Sequence, residues 1–314
     1  MTTTDAVQTN ADLVYRLRSL GMAGAVLHIG AHPDDEDVGL LAYLPRKFGV
    51  HTVYWSGTRG EGGQNRIGPY KEEVLGIYRT WESLAARARD GGECLFGPFY
   101  DYGFSKNSDE AMSKWGRRAL VREVVRAIRL VQPRIVVIWF TGEPRDGHGH
   151  HQAVGRAALE ALELAGDPDA FPELQVQGVA VWQPLKLYHS TTEDWQPGED
   201  GSFGIVDPQW ERAGAVRINS GEFDPIAGRT FQEQAWMAFN KYQTQAMGFL
   251  PTPDDYFYYF ALHKSLASVP DQESSLFDGL DPSLTGLTDY TGNGSSALRS
   301  ALEQVKAHVH AALQ

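Results

Sequence analysis

The chain has 314 residues, 42% hydrophobic and 22% charged, the composition of a globular protein with a sizeable core rather than a disordered or fibrous one. Its 28 Lys and Arg against 40 Asp and Glu leave a net charge of −12, which argues against nucleic acid as the main partner. A single cysteine, Cys94, excludes an intrachain disulfide and a thiolate metal cage, so any metal site must use His and carboxylate.

No apolar run approaches the roughly 18 residues that span a membrane. Residues 1–24 form a polar lead without the apolar block of a signal peptide. A cytoplasmic protein is the expectation, and the lone cysteine fits a reducing compartment.

In chain order, Ala25-Val26-Leu27-His28-Ile29-Gly30 reads as a buried strand over about 25–31. It runs into Ala31-His32-Pro33-Asp34-Asp35-Glu36-Asp37, and a helix is expected over about 36–48. A second strand at 50–56 follows at βαβ spacing, so the two strands should be parallel. The glycine-rich stretch Thr58–Asn65 lacks the G-x-G-x-x-G fingerprint, because Asn65 stands at the third glycine; a tight loop or pocket floor fits better than a nucleotide cradle.

Residues 71–90 read as an amphipathic helix with Val74, Leu75, Tyr78, Trp81, Leu84, Ala85 and Ala88 on one stripe, expected to be buried, and Arg79 beside it. A short strand is expected near 94–96, with Cys94 as a core residue. The aromatic loop Phe99–Lys106 follows and contains Asp101. One helix is expected over 109–131, burying Leu120, Val124, Ile128 and Val131 and ending before Pro133. A strand at 134–140 leads through an irregular loop to His148-Gly149-His150-His151 and an Ala-rich helix to about 165.

Beyond 175 the texture changes. Val176–Tyr188 reads as a strand interrupted at Pro184, with β-like pieces at 203–206 and 214–218. A helix is expected over 228–247, an aromatic segment Tyr256–Phe260 packed on the main domain, surface loop over 266–296 and a last helix over 296–313. The alternation over 25–165 predicts an α/β fold: a Rossmann-like, doubly wound, mostly parallel sheet with a C-terminal extension of mixed strands and helices. The expected organisation is the 1–24 lead, one catalytic domain at 25–265, and a loop plus helix at 266–314 packed on it.

Two polar clusters therefore lie just past two apolar strands, where open α/β sheets hold their ligands. The first alone also reads as an acidic helix cap with a bystander histidine. With the distant histidine cluster, however, it supplies His, Asp and His, the usual ligand set of a catalytic Zn²⁺ with one position left to water.

The motif Ala31-His32-Pro33-Asp34-Asp35-Glu36 with His148-Gly149-His150-His151 resembles the PIG-L/LmbE-like de-N-acetylase family. Further matches are Arg59–Asn65, Leu75-Gly76-Ile77-Tyr78-Arg79 and Trp182–Tyr188, and the resemblance covers roughly residues 25–250. It implies a zinc-dependent hydrolase, with one Zn²⁺ per chain, that removes an acetyl group from an N-acetylglucosamine-type amino sugar or its conjugate. It also implies that His32, Asp35 and His151 are metal ligands, Asp34 the general base and His148 the oxyanion-stabilising residue, in protonated form. Arg79 and Asp101 look like substrate-contacting positions.

The chain departs from the family at His150, where relatives often carry an Asp that orients the neighbouring histidine. It departs again at Tyr242-Gln243-Thr244-Gln245, where many have His-Arg-Ser-Gln. The alternative functions are an amidase acting on a non-sugar N-acyl substrate and a two-His, one-carboxylate Fe(II) oxygenase, which the βα alternation disfavours. A non-catalytic binding module would lack the base or a ligand, and all are present. A two-carboxylate glycosidase needs carboxyls about 5 Å or more apart across a sugar ring, which the adjacent Asp34 and Asp35 rarely supply.

Overall fold

Side chains alternate along a strand, and the first strand, Ala25–Gly30 (β1), is buried on both faces. Leu27 and Ile29 enter one apolar cluster, while Val26 enters another on the opposite face. Such a strand must lie inside a sheet covered by helices on both sides. The computed structural model describes residues 10–191, 194–197, 203–206, 214–290 and 296–313.

After helix Asn10–Leu20 (α1), strands β1, His51–Ser56 (β2), Glu93–Phe96 (β3), Ile135–Ile138 (β4) and Lys186–Ser190 (β5) lie parallel in the order β3-β2-β1-β4-β5. Asp194–Pro197 (β6) and Phe203–Val206 (β7) form a separate antiparallel pair. Val216–Asn219 (β8) returns to the main sheet. Phe223–Asp224 (β9) and Arg229–Thr230 (β10) pair with each other, and Phe257–Ser265 (β11) extends the main sheet antiparallel between β5 and β8. The sheet is thus the expected mostly parallel, Rossmann-like one. Its strand order reverses between β1 and β4, which opens a crevice at their carboxyl ends.

The helices are Val38–Tyr43 (α2), Glu72–Asp90 (α3), Ser108–Trp115 (α4), Arg117–Val131 (α5), Gly149–Ala165 (α6), Pro172–Val176 (α7), Phe231–Phe239 (α8) and Ser296–Ala312 (α9). The α5–α6 pair covers one face of the sheet, and α2 with Phe231 of α8 covers the other. Helix α9 packs on α1. Among the described residues no helix is long and apolar enough to cross a membrane.

Several expectations change. The first helix is regular only to Tyr43 and passes into a wider turn over Leu44–Phe48, where Pro45 has no N–H to give the helical ladder. The expected 109–131 helix breaks at Gly116, whose φ of 83° no helix tolerates. The expected strand from Val176 is absent until Lys186, and Val176 itself ends the short α7. Helix α8 begins at a Thr230/Glu233 capping box and stops at Phe239, short of the expected 247. Tyr256–Phe260 belongs largely to β11 of the main sheet.

The largest correction concerns α3. Of its expected buried stripe only Leu75 is inside; Val74, Tyr78, Trp81, Leu84, Ala85 and Ala88 face outward. The inner face is polar, with Arg79, Ser83, Arg87 and Asp90 buried, because these side chains hold the loops of the crevice. Burial pushes the Cys94 thiol up to about 12, so it is not a ready nucleophile.

Candidate metal centre and active site

The turn leaving β1 is organised by its own carboxylates. Asp35 Oδ2 accepts the backbone N–H groups of Ala31 at 3.0 Å and His32 at 2.7 Å. It also lies 3.2 Å from His32 Nδ1. Burial works against the Asp35 anion, but His151, His32 and the backbone donor outweigh it and hold the carboxyl well below its usual range. Asp34 sits at φ 100°, outside the ordinary region for a residue with a side chain. Its N–H donates to Glu36 Oε2 at 2.9 Å. Glu36 is anchored in turn by Arg87 Nη1 at 2.9 Å and by the Tyr242 hydroxyl. Burial first, then the adjacent Asp35, pushes the Asp34 carboxyl well above its ordinary value; Arg79 and His32 oppose this.

The second cluster is set by the loop after β4. Asp146 ties that loop by accepting the N–H groups of Thr141 at 3.0 Å and Gly142 at 2.7 Å. Its own carbonyl lies 2.8 Å from His151 Nδ1. A proton on Nδ1 satisfies that carbonyl and leaves Nε2 free for a ligand. His151 Nε2 then lies 3.2 Å from His32 Nδ1 and 3.5 Å from Asp35 Oδ1.

These three side chains form a metal-competent group. The two imidazole nitrogens are 3.2 Å apart, close to the roughly 3.3 Å between ligands at 2.0–2.1 Å around a tetrahedral Zn²⁺, and each has a different oxygen of Asp35 within 3.2–3.5 Å. Burial disfavours a charged His32, yet Asp35, Asp101 and Asp34 pull its pKa up to about 9, whereas burial pushes His151 down to about 4.

His148 and His151 line the crevice, and His150 does not. His150 is fully buried, stacked on Trp115 at 4.3 Å, with Nδ1 3.1 Å from His32 Nε2. A His32 that binds through Nδ1 keeps its proton on Nε2, and His150 is the acceptor in reach. Burial and the neighbouring imidazoles push the His148 pKa down to about 2, which disfavours the protonated form.

Asp101 and Arg79 stand behind the crevice, not on its wall. Asp101 Oδ1 accepts from Gly103 N at 2.8 Å and lies 3.6 Å from His150 Nδ1; its Oδ2 is 4.0 Å from His32 Nε2. Arg79 donates to the carbonyls of Gly60 at 2.9 Å and Gln64 at 3.0 Å. A Cβ at Gly60 or Gly63 would meet its guanidinium at 2.5 or 2.4 Å, so the glycine-rich loop is glycine-rich because it wraps Arg79.

In front of the ligands lies a cavity of about 820 Å³. Asp34, Asp35, His148 and His151 form one side. Much of the rest is aromatic: Phe104, Trp139, Phe140, Trp236, Phe239, Phe249, Tyr256 and Tyr258. Trp236 stacks on Phe249 at 4.5 Å and meets Tyr256 edge-on at 5.6 Å. Sequence reasoning missed this wall and the Glu36 anchor. Aromatic density after 230 was its only signal, and that density reads equally well as core.

Residues 27–162 match the profile of the family described as GlcNAc-PI de-N-acetylase, PIG-L. A 1D-myo-inositol 2-acetamido-2-deoxy-alpha-D-glucopyranoside deacetylase of Streptomyces avermitilis is 31% identical over 183 residues, 52% of this chain and 60% of the relative. The enzyme of that name from Kineococcus radiotolerans is 26% identical over 256 residues, 71% of this chain and 68% of its own. The chain thus spans only about 60% of the length of the first of these relatives. Among solved structures, the 4-carboxy-2-hydroxymuconate hydratase GalB of Pseudomonas putida matches at TM-score 0.52 and 15% identity, over 79% of this chain and 99% of its own. That likeness speaks for the fold alone, since one fold hosts different reactions. The matched segment contains the whole candidate centre, from His32 to His151, and is similar to the PIG-L deacetylase family.

Proposed function

We propose that the chain is a metal-dependent deacylase that hydrolyses the N-acetyl, or related N-acyl, group of an amino-sugar conjugate. The observation that carries this reading is the convergence of His32 Nδ1, Asp35 and His151 Nε2 beside the strained, proton-attracting Asp34. The three ligands would hold a divalent cation, and their nitrogen and oxygen donors suit zinc. Such an ion, when bound, polarises the acyl carbonyl and acidifies water.

Asp34 takes the proton of the attacking water as the new C–O bond forms. It then delivers that proton to the amine nitrogen as the C–N bond breaks, leaving a free amine and a carboxylic acid, which releases the second proton of the water as it ionises. Its raised proton affinity suits both halves of that task. His148, neutral and on the cavity wall, offers one N–H to the oxyanion. Arg79 and Asp101 act on the loops and ligands instead of touching substrate.

The aromatic wall favours a substrate with an apolar or aromatic portion beyond the acylated sugar. Its main elements, Trp236 and Phe249, lie outside the segment that matches the family. The same observation supports a second reading, an amidase on a non-sugar N-acyl compound.

The test is to quantify bound metal and acid release together, for the natural protein and Asp34→Ala, over N-acylated glucosamines with small and with aromatic aglycones. About one metal per chain in both proteins, with turnover only in the natural one, supports the reading. Stoichiometric metal with no acid released from any N-acyl compound overturns it.

A further inference from the structure

The carboxyl group of Asp37 is buried, yet the deacylation chemistry leaves it without a task. It stands at the start of α2, where an Asp side chain ordinarily accepts the first helical N–H groups, and it makes no such bond. The carboxylate turns to the sheet instead. Its Oδ2 lies 2.9 Å from His28 Nε2, and its Oδ1 accepts from the Ser190 hydroxyl at 3.0 Å. His28 belongs to β1 and Ser190 ends β5, with β4 between them. Ile29 pairs with Ile138 and Ile138 with His189, which sets Ser190 level with Gly30 at the carboxyl edge of the sheet. Asp37 therefore spans the end of β4, on the floor of the crevice where the strand order reverses. Asp37, Ser190 and Tyr258 all line the cavity. A carboxylate offers about four acceptor sites, and among the described residues His28 and Ser190 are the only side chains that fill any of them.

We propose that Asp37 selects the substrate by accepting a hydrogen bond from a hydroxyl of the acylated sugar, with Ser190 fixing the carboxylate. The inference rests on the deacylase reading and names what that cavity recognises. Position decides the class of donor. Asp37 follows the candidate ligand Asp35 by two residues, so their Cα atoms are at most about 7.6 Å apart. The ring that carries the scissile amide, rather than a distant aglycone, is the part that meets it, and the polar hydrogens of such a ring are hydroxyl hydrogens. A single charged acceptor in a largely aromatic cavity fixes the orientation of what binds there. A hydroxyl on a carboxylate also makes the shorter and stronger, charge-assisted bond.

The test is kcat/KM for the methyl glycoside of N-acetylglucosamine and for its three analogues in which one hydroxyl is replaced by fluorine, which nearly keeps the size and donates no hydrogen bond. The natural protein, Asp37→Asn and Asp37→Ala are compared, each checked for folding by circular dichroism and for bound metal. In the natural protein one fluoride should fall about ten- to a hundredfold below its parent, the range of a hydrogen bond to a charged group. In Asp37→Ala that fluoride should react as well as its parent. In Asp37→Asn, which keeps the shape and loses the charge, the gap should narrow. A role confined to the fold would lower all four sugars alike. Four sugars turned over equally by the natural protein, or a gap undiminished in the folded variants, would overturn the proposal. A parent sugar left intact by protein with stoichiometric metal would instead tell against the deacylase reading and carry this one with it.

Discussion

The Asp34 N–H donates to Glu36 Oε2 at 2.9 Å, and this bond holds a residue whose φ of 100° its side chain resists. Strain of this kind costs about 1–3 kcal/mol and persists only where the surroundings impose it. Glu36 can impose it because Arg87 and Tyr242 fix its other oxygen. Asp34→Gly relieves the strain and also removes a half-buried carboxylate from beside Asp35. Even after the added flexibility of the unfolded chain, the variant should be more stable by about 1 kcal/mol. It should also lose about 10²- to 10⁴-fold in turnover. Thermal unfolding and acid release, measured together, check this trade, and a less stable Gly variant would remove the argument from strain.

Glu36 itself should behave as a positioning residue. Glu36→Gln leaves Arg87, among the described residues, with only Asp90 as a charged partner in a buried site. Removing one member of a buried ion pair costs about 3–5 kcal/mol, and the low end applies because Asp90 remains. At a temperature where the variant is folded, kcat should fall while metal stoichiometry stays near one per chain. An unchanged kcat would reduce Glu36 to a structural role.

Proton linkage at the metal centre has a definite sign. In the chelated protein His32 is raised to about 9 from an unfolded value near 6.5, so its stabilising contribution is complete below about pH 6.5 and is lost as pH rises towards 9. His151 is lowered to about 4, and His148 and His150 to about 2, by burial first. The folded state refuses protons there that the unfolded chain binds, so stability falls as pH drops below about 6.5. Chelated protein should therefore melt highest near neutrality. Zinc binding near pH 7.5 should expel about one proton, that of His32, read by calorimetry in buffers of different ionisation enthalpy. Binding enthalpies independent of buffer would refute the assignment.

The sheet and the meeting of the candidate ligands in one crevice were legible because both rest on local signals. A doubly apolar strand such as β1 means a covered parallel sheet, and polar clusters after two such strands mean a shared crevice. What could not be read depends on partners distant in sequence. The α3 stripe has a 3.6-residue period whichever way it faces. Only Arg79 reaching Gly60 and Arg87 reaching Glu36 show that the polar side is inside. Asp101 in its aromatic loop reads as a sugar contact until His32 and His150 are seen beside it.

The position of His150 behind His32 has a measurable consequence. His150 Nδ1 is the acceptor facing His32 Nε2, at 3.1 Å. His150→Phe keeps an aromatic ring on Trp115 but removes that acceptor. Partners that fix a ligand histidine from behind are typically worth about 10- to 100-fold in metal affinity. Zinc affinity from competition with a chelator should fall by that factor, with the fold retained. An unchanged affinity would mean that His32 is oriented by Asp101 alone.

The aromatic wall should separate substrates by their apolar part. Trp236 and Phe249 stack on each other and line the cavity, while Asp34, Asp35 and His151 lie on its other side. Truncating a ring removes contact area worth about 1–2 kcal/mol to whatever group packs there. Trp236→Ala and Phe249→Ala should therefore raise KM about tenfold for N-acyl substrates with an aromatic or alkyl aglycone. N-acetylglucosamine itself should show almost no change, and kcat should hold for both. Varying the acyl chain at a constant aglycone, then the aglycone at a constant acetyl group, tells which end of the substrate the wall receives. If both variants handle every substrate as the natural protein does, the wall is packing for the fold and takes no part in selection.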